Sequence, residues 1–418
     1  MKTFLTRNAA CLWTGRFFSY FADQLLEIAV IGVVWTLTKS STSTAIVTFM
    51  SRAPYWSLVW IGTIASDDWP QQATVITTSV LSGFCCLAVF LLDRTIGLAT
   101  WELALISFSI AALRTIEAPA LNRQLPSLAP AADLQGINAV LDNTKRVARL
   151  VGPLLIGWTK SFVPVVGFYL IAALAYWMMA LATGGFSLRI APAARPPRPR
   201  ASMLGEMRES LAVLDGKPVL RYPIFLSAAY TVAHASCYWV FIPRVLLDGI
   251  GSGLGSYSLI VTGFAAGGLV GNLLISSAPI RKKAALAAAG MSLAGLAFFG
   301  MGAVTGIRGA FWISILGGVS FPMMDIAIPT LIHEEAPEAQ WGKLFALWRN
   351  VAELGIGAGL LAGGPLCDRF GPRLGLYAMG SFAVLVGGLA HLLVSEATEP
   401  ERLDASAAMA QREMAANF

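Results

Sequence analysis

Charge is what this sequence has least of. Only 13% of its 418 residues are Asp, Glu, Lys or Arg, whereas 56% are hydrophobic, and the mean hydropathy is +0.66. Soluble domains run near 25% charged, so an ordinary soluble fold is excluded and an integral membrane protein is indicated. Cysteine is scarce as well. Cys11, Cys85, Cys86, Cys237 and Cys367 are scattered, with no CxxC pair. They read as small buried hydrophobes, not as redox or metal ligands. No Gly-x-x-x-x-Gly-Lys-Ser/Thr loop occurs, which excludes a built-in ATP motor. The glycines at 263, 267 and 271, and at 355, 359 and 363, follow no strand; their four-residue spacing suits close helix packing. His333-Glu334-Glu335 lacks the second histidine of a zinc helix, and no nucleophile–base spacing marks an enzyme. No metal, cofactor, nucleotide or nucleic acid is expected. Lys2 and Arg7 precede a long apolar run without a small-residue cleavage site, as in an uncleaved first span.

What the sequence has in abundance is apolar runs of about 20 residues, each sufficient for a hydrocarbon core of about 30 Å. They lie near 10–38, 43–65, 72–92, 98–120, 136–159, 162–184, 221–247, 256–277, 284–304, 309–332, 343–365 and 374–394. Twelve spans define an all-α polytopic membrane protein. The composition breaks once, at Ala191–Arg200, where four prolines and three arginines form an extended connector. Met203–Lys217 reads as a short surface helix after it. The expected organisation is therefore a six-helix half over 1–187, a linker over 188–220, a second six-helix half over 221–395 and a tail over 396–418. Sixteen Lys/Arg fall on the side of the N-terminus and seven on the other. The basic excess thus reports topology, with both termini cytoplasmic.

The fifth span organises the rest. Asp142, Lys145, Arg146 and Arg149 lie within about 100° of arc on one helix face. A charge at mid-span costs roughly 2.5–3.5 kcal/mol on insertion scales, so this stripe requires an internal wet cavity or partner charges. Gly152-Pro153 follows it, a place for bending and close approach. Val147–Leu150 finds a short echo in Val351–Leu354, which pairs Arg149 with Glu353 and suggests two related halves.

These features, taken in order, resemble the major facilitator superfamily, and within it the branch of macrolide-efflux proteins and the enterobactin exporter. The residues that carry the resemblance are Ala22-Asp23, Arg52-Ala53-Pro54, Pro119-Ala120 with Leu125-Pro126, Asn138-Ala139, Ala148-Arg149, Gly152-Pro153, Gly342-Lys343 and Phe345-Ala346-Leu347. The resemblance implies two halves rocking around a central site and proton-coupled efflux of a small amphipathic compound such as a siderophore or drug. The setting it implies is a bacterial inner membrane, with a proton gradient as energy source. Import or facilitated passage of an organic anion, and lipid handling, remain as alternatives. Two departures stand out. The loop after the second span reads Gly62-Thr-Ile-Ala-Ser-Asp67-Asp68-Trp-Pro70, without the family's arginines, leaving Asp67 and Asp68 as gating candidates with Gly152 and Pro153. A good match, Gly364-Pro-Leu-Cys-Asp368-Arg369-Phe-Gly371-Pro-Arg373, sits instead after the eleventh span. It reads there either as a family feature of the last outer loop or as a coincidence of turn chemistry. The antiporter motif of the fifth span keeps Gly152, Pro153 and Gly157 but has Ala148 and Ile156 in place of glycines.

Arg16, Asp23 and Glu27 fall on one line of the first span, with Tyr20 beside them. They read either as a proton-exchanging cavity face or as fixed bridges to other helices. Across the spans, seven bases (Arg16, Arg52, Arg114, Lys145, Arg146, Arg149, Arg349) meet six acids (Asp23, Glu27, Glu117, Asp142, Asp325, Glu353). Proton coupling needs an acid whose surroundings change between states; Asp23, Glu27, Asp325 and Glu353 are the candidates. Arg16, Tyr20, Arg52, Arg114, Arg146, Arg149, His234 and Trp348 are the candidates for substrate contact, although His234 reads first as a hydrogen-bonded packing residue.

Overall fold

The computed structural model describes residues 7–58, 69–128, 134–185, 211–214, 217–250, 253–277 and 282–393. In hydrocarbon every backbone N–H needs a partner within its own segment, so apolar runs of this length become helices. They are α1 (Arg7–Thr38), α2 (Ser41–Met50), α3 (Pro54–Ser57), α4 (Gln71–Thr95), α5 (Thr100–Leu128), α6 (Leu134–Thr159) and α7 (Gly167–Gly184). After the connector come α8 (Pro218–Ser236), a π-helical turn (Cys237–Phe241), α9 (Ile242–Asp248), α10 (Leu254–Ser277), α11 (Lys283–Ala303), α12 (Ile307–Glu335), α13 (Glu338–Phe370) and α14 (Pro372–Leu393).

Among the described residues, ten helical stretches are long and apolar enough to cross a membrane, α8 to α9 counting as one. The other two expected spans differ for physical reasons. Helix α6 has the length but carries the charged stripe. The second span is broken: Pro54 lacks an N–H, and the chain turns at Ser51–Ala53, where the Arg52 N–H donates to the Phe49 carbonyl at 2.9 Å. The connector at 191–200, most of the helix expected over Met203–Lys217, the loop with Asp67 and Asp68, and the tail 396–418 lie outside the described residues.

Helices of the first half pack with one another, α1 against α6 and α7, and α4 against α5 and α7. Those of the second half do likewise, α8 against α13, and α12 against both α10 and α11. The two main seams between the helices before the connector and those after it are α2 with α13 and α6 with α10, with smaller contacts of α2 on the π-helical turn and of α1 on α10. The tightest approach within a half is at α10–α12. A Cβ on Gly267 would stand 1.9 Å from the Ile315 carbonyl oxygen, and one on Gly318 would stand 2.2 Å from that of Phe264. Backbone is in the way, so nothing can rotate aside. Gly267→Leu is expected to destabilise the protein by about 1–3 kcal/mol. Thermal unfolding in detergent checks this, with Gly388→Ala, which meets nothing within 4 Å, remaining close to the parent.

Candidate functional site

Helix α1 places Asp23 at the middle of the first half. Its Oδ2 accepts from the Arg114 Nη2 at 2.6 Å and its Oδ1 from the Tyr176 hydroxyl at 2.8 Å. Arg114 and Glu117 are three apart on α5 and therefore share a face; the Arg114 Nη1 donates to Glu117 Oε1 at 2.5 Å. The other Glu117 oxygen lies 3.4 Å from the hydroxyls of Thr78 and Ser79 on α4. One guanidinium thus bridges two carboxylates, with the Tyr176 ring 5.5 Å beneath it. Glu117 is 1% exposed while Asp23 is 30% exposed, so only the Asp23 edge of the group reaches open space. Arg16 is buried close by, its guanidinium donating to the Tyr20 hydroxyl at 3.3 Å.

One turn along α1, Glu27 reaches the other half. Its Oε1 accepts from the Trp239 indole N–H at 2.9 Å and stands 3.6 Å from the Arg52 Nη2. The Arg52 guanidinium lies over the Trp239 ring at 4.4 Å, a cation–π contact. Trp239 belongs to the π-helical turn after α8, an irregularity frequent at functional sites. Along α8 and into the π-helical turn the rings of Tyr230, His234 and Tyr238 stack at centroid spacings of 5.7 and 5.0 Å, with Phe321 edge-on to His234 at 4.7 Å. The His234 Nδ1 is buried without a hydrogen-bond partner.

Opposite this aromatic wall stands the stripe of α6. Lys145 and Arg149 are exposed and Arg146 is half-buried. The charge of Arg149 acts on His234 and Tyr238, and all three cations act on Asp325 of α12. Asp325 is itself solvent-accessible although deep within the bundle. Asp325 thus faces the cations of α6 at a solvent-reached position between the two sets of helices, a space we term the chamber. Pro153 lies inside the unbroken α6 and has no N–H for the Arg149 carbonyl one turn back. Gly152 brings α6 onto α1, since a Cβ there would meet Gln24 Cβ at 2.8 Å.

One end of the chamber is shut by polar contacts across the seams. Asp368, at the end of α13, sits on the N-terminus of α2. It accepts the backbone N–H groups of Ser41 and Thr42, both at 2.9 Å, and the hydroxyls of Ser40 at 3.0 Å and Thr42 at 2.8 Å. A carboxylate there meets both the unpaired N–H groups and the positive end of the helix dipole. Beside it Arg244 donates to the Lys39 carbonyl at 3.0 Å, and the Trp35 indole to Asp248 at 3.0 Å. Toward the other end, an apolar cleft of about 490 Å³ opens between α1 and α6, lined by Trp13, Phe17, Phe18, Val140, Thr144 and Val147 among others. Its α6 residues face away from the charged stripe.

The structure therefore gathers Arg16, Tyr20, Asp23, Glu27, Arg52, Arg114, Arg146, Arg149, His234 and Asp325 toward the middle of the bundle, with Arg16 and His234 buried and Arg149 and Asp325 exposed. Arg114 is engaged by two carboxylates and is not an open cation. Trp348 lies 6.4 Å from Phe345, in an aromatic group that also includes His333 and Trp341, apart from the His234 stack. Glu353, half-buried on α13, has one carboxylate oxygen buried without a hydrogen-bond partner. Tyr176 and the docking of Asp368 were not foreseen as site elements. The i,i+3 spacing of Arg114 and Glu117 was a visible signal for the first group, and the Ser40–Ser43 run, a strong helix start, for the second. Among the described residues no cluster of three His, Cys, Asp or Glu side chains could hold a metal ion.

An all-α bundle with a polar chamber between two sets of packed helices is the major facilitator fold, a multi-pass membrane architecture. The family model for the Major Facilitator Superfamily matches residues 224–416. An uncharacterised MFS-type transporter of Bacillus subtilis (strain 168), YfiS, is 22% identical over 309 residues, covering 69% of this chain and 70% of its own. Among solved structures, a bacterial homologue of the iron transporter ferroportin in an inward-facing state superposes with a TM-score of 0.70 at 16% identity, over 94% of this chain and 99% of that one. The nucleoside transporter NupG gives 0.69 at 12% identity, over 93% and 99%. A bacterial homologue of the lysosomal transporter Spinster, also inward-facing, gives 0.67 at 14%, over 94% and 98%. The comparisons indicate a transporter and not an enzyme.

The Asp23–Arg114–Glu117 group makes a testable energetic statement. Arg114→Met leaves Glu117 buried without its counter-ion and Asp23 facing it, and is expected to destabilise by about 3–5 kcal/mol. Asp23→Asn keeps the Arg114–Glu117 pair and is expected to cost clearly less. Detergent unfolding of the two variants checks the order.

Proposed function

We propose that this protein is a proton-coupled exporter of small amphipathic compounds, siderophore-like or drug-like, working by alternating access in a bacterial inner membrane. The observation that carries this reading is that ionisable side chains of the two halves face one chamber, Glu27 against Trp239 and Arg149 against Asp325, with one end latched by Asp368. Cations cluster on the near side of both the linker and the termini, which favours cytoplasmic termini and puts the latched end outside. The state described is then inward-facing. Arg149, Arg146 and Lys145 suit a carboxylate-bearing or otherwise anionic substrate part, and the aromatic wall of α8 a planar apolar part. The cleft between α1 and α6 offers a path for a compound partitioned into the inner leaflet. Efflux as the direction, and the substrate types, follow the resemblance to the macrolide-efflux and enterobactin-exporter branch. Protons are the coupling ion of this proposal, and Asp23 and Glu27, both partly exposed to the chamber, are the groups placed to exchange them; no other cofactor is invoked. The proposed units are the half before the linker at 188–220, the half after it, and a cytoplasmic tail.

Inside-out vesicles carrying a pH-sensitive dye test this. Addition of a catecholate siderophore or a macrolide is expected to release protons from acidified vesicles, and compound uptake to stop when the gradient is collapsed. Asp23→Asn is expected to lower gradient-driven uptake at least about tenfold at unchanged expression. Uptake that equilibrates without a gradient would identify a facilitator instead.

A further inference from the structure

The α2–α13 seam contains a carboxylate with no present use. Two contacts fix the register: a Cβ on Gly364 would meet Ala45 Cβ at 2.8 Å, and one on Gly357 would meet Phe49 Cε2 at 3.2 Å. The helices therefore run antiparallel, away from the Asp368 latch. One further turn along α13 is Glu353; one further turn along the second span is Arg52, placed below Phe49 by the three-residue turn at Ser51–Ala53. Glu353 has an oxygen buried without a hydrogen-bond partner. Arg349, one turn beyond it on the same helix, is exposed, and among the described residues the two form no ion pair.

Arg52 lies over the Trp239 ring at 4.4 Å but holds Glu27 only loosely. Its 3.6 Å approach to Glu27 exceeds the 2.7–3.2 Å of a sound N–H···O bond. Glu27 already accepts from Trp239 at 2.9 Å and from Gln24 at 3.4 Å. We infer that Arg52 changes partner as the halves rock, bound to Glu27 while the Asp368 latch is closed and to Glu353 when it is open. Rocking that parts Thr42 from Gly364 swings the chamber-side continuations of the same two helices together, and Glu353 then meets the nearest cation on the facing chain. The gain is concrete: a half-buried carboxylate with one unsatisfied oxygen obtains its counter-ion, and Glu27 loses both Arg52 and, as the halves move, the Trp239 N–H. Arg52 thereby ties the charge state of Glu27 to the position of the halves. This rests on the alternating-access reading and names its switching element.

The test measures conformation directly, without a substrate. Spin labels at Ala73→Cys on α4 and Ser276→Cys on α10, both exposed at the ends remote from the latch, are introduced into the full chain with its native cysteines replaced. Distances are read in lipid nanodiscs. Two populations are expected, and Asp368→Asn should enrich the shorter one. Glu353→Gln and Arg52→Ala are each expected to deplete the shorter population roughly fivefold or more, the double variant no further than either single one. The exchange Arg52→Glu with Glu353→Arg should restore it. Arg52→Lys, which keeps the charge, controls for folding. Unchanged populations in Glu353→Gln, or losses that add in the double variant, overturn the partner change while leaving alternating access intact. A single distance in every variant, Asp368→Asn included, overturns both.

Discussion

Hydrocarbon does not tolerate an unpaired charge, and the interior of this bundle is arranged around that constraint. Arg114 lies between Asp23 and Glu117, with Tyr176, Thr78 and Ser79 taking up the remaining acceptor positions. Five groups from α4, α5 and α7 thereby fix where α1 must stand. Losing the guanidinium would leave two like charges facing one another in a medium that screens poorly. The group is thus a structural keystone of the first half as well as one wall of the chamber, and Asp23, at its wet edge, is the member able to respond to what enters.

The contacts that close the latched end are of a different kind. Asp368 faces backbone N–H groups and hydroxyls, and Glu27 faces an indole N–H; Arg244 donates to a carbonyl. In each, a charged group of one half meets a neutral partner of the other. Separating such pairs leaves no buried counter-ion behind, so the seam can open without the cost that would attend breaking Arg114 from its carboxylates. A buried ion-pair group holds the helices before the connector together, and charge–dipole contacts tie them to the helices after it. The α10–α12 glycines let those two helices pack backbone to backbone.

Much of this architecture was legible beforehand. The apolar runs marked the spans, and the stripe on α6 signalled an internal polar face because insertion cost leaves no other explanation. The line from Arg16 through Asp23 to Glu27 was readable from the helical period. What could not be read were partners remote in the chain: Tyr176 lies 153 residues from Asp23, Trp239 lies 212 from Glu27, and Thr42 lies 326 from Asp368. Periodicity fixes which face a residue occupies, not which helix comes to meet it. Asp368 shows the gap well, since the stretch expected as a loop ends α13 instead, and its partners lie at the far end of the chain. Gly152 shows another side of it. Read as a bending point, it proves also to be the place where α6 touches Gln24 of α1.

The central claim is that Arg149 and Asp325 face water inside the bundle and not lipid around it. Cysteines placed singly at these two positions and at Leu316, an exposed apolar position on the same helix as Asp325, should be treated with a charged, membrane-impermeant thiol reagent in inside-out vesicles. The account predicts rapid modification at 149 and 325 and none at 316. Equal and negligible reaction at all three would mean that no aqueous chamber exists, and the account would be wrong.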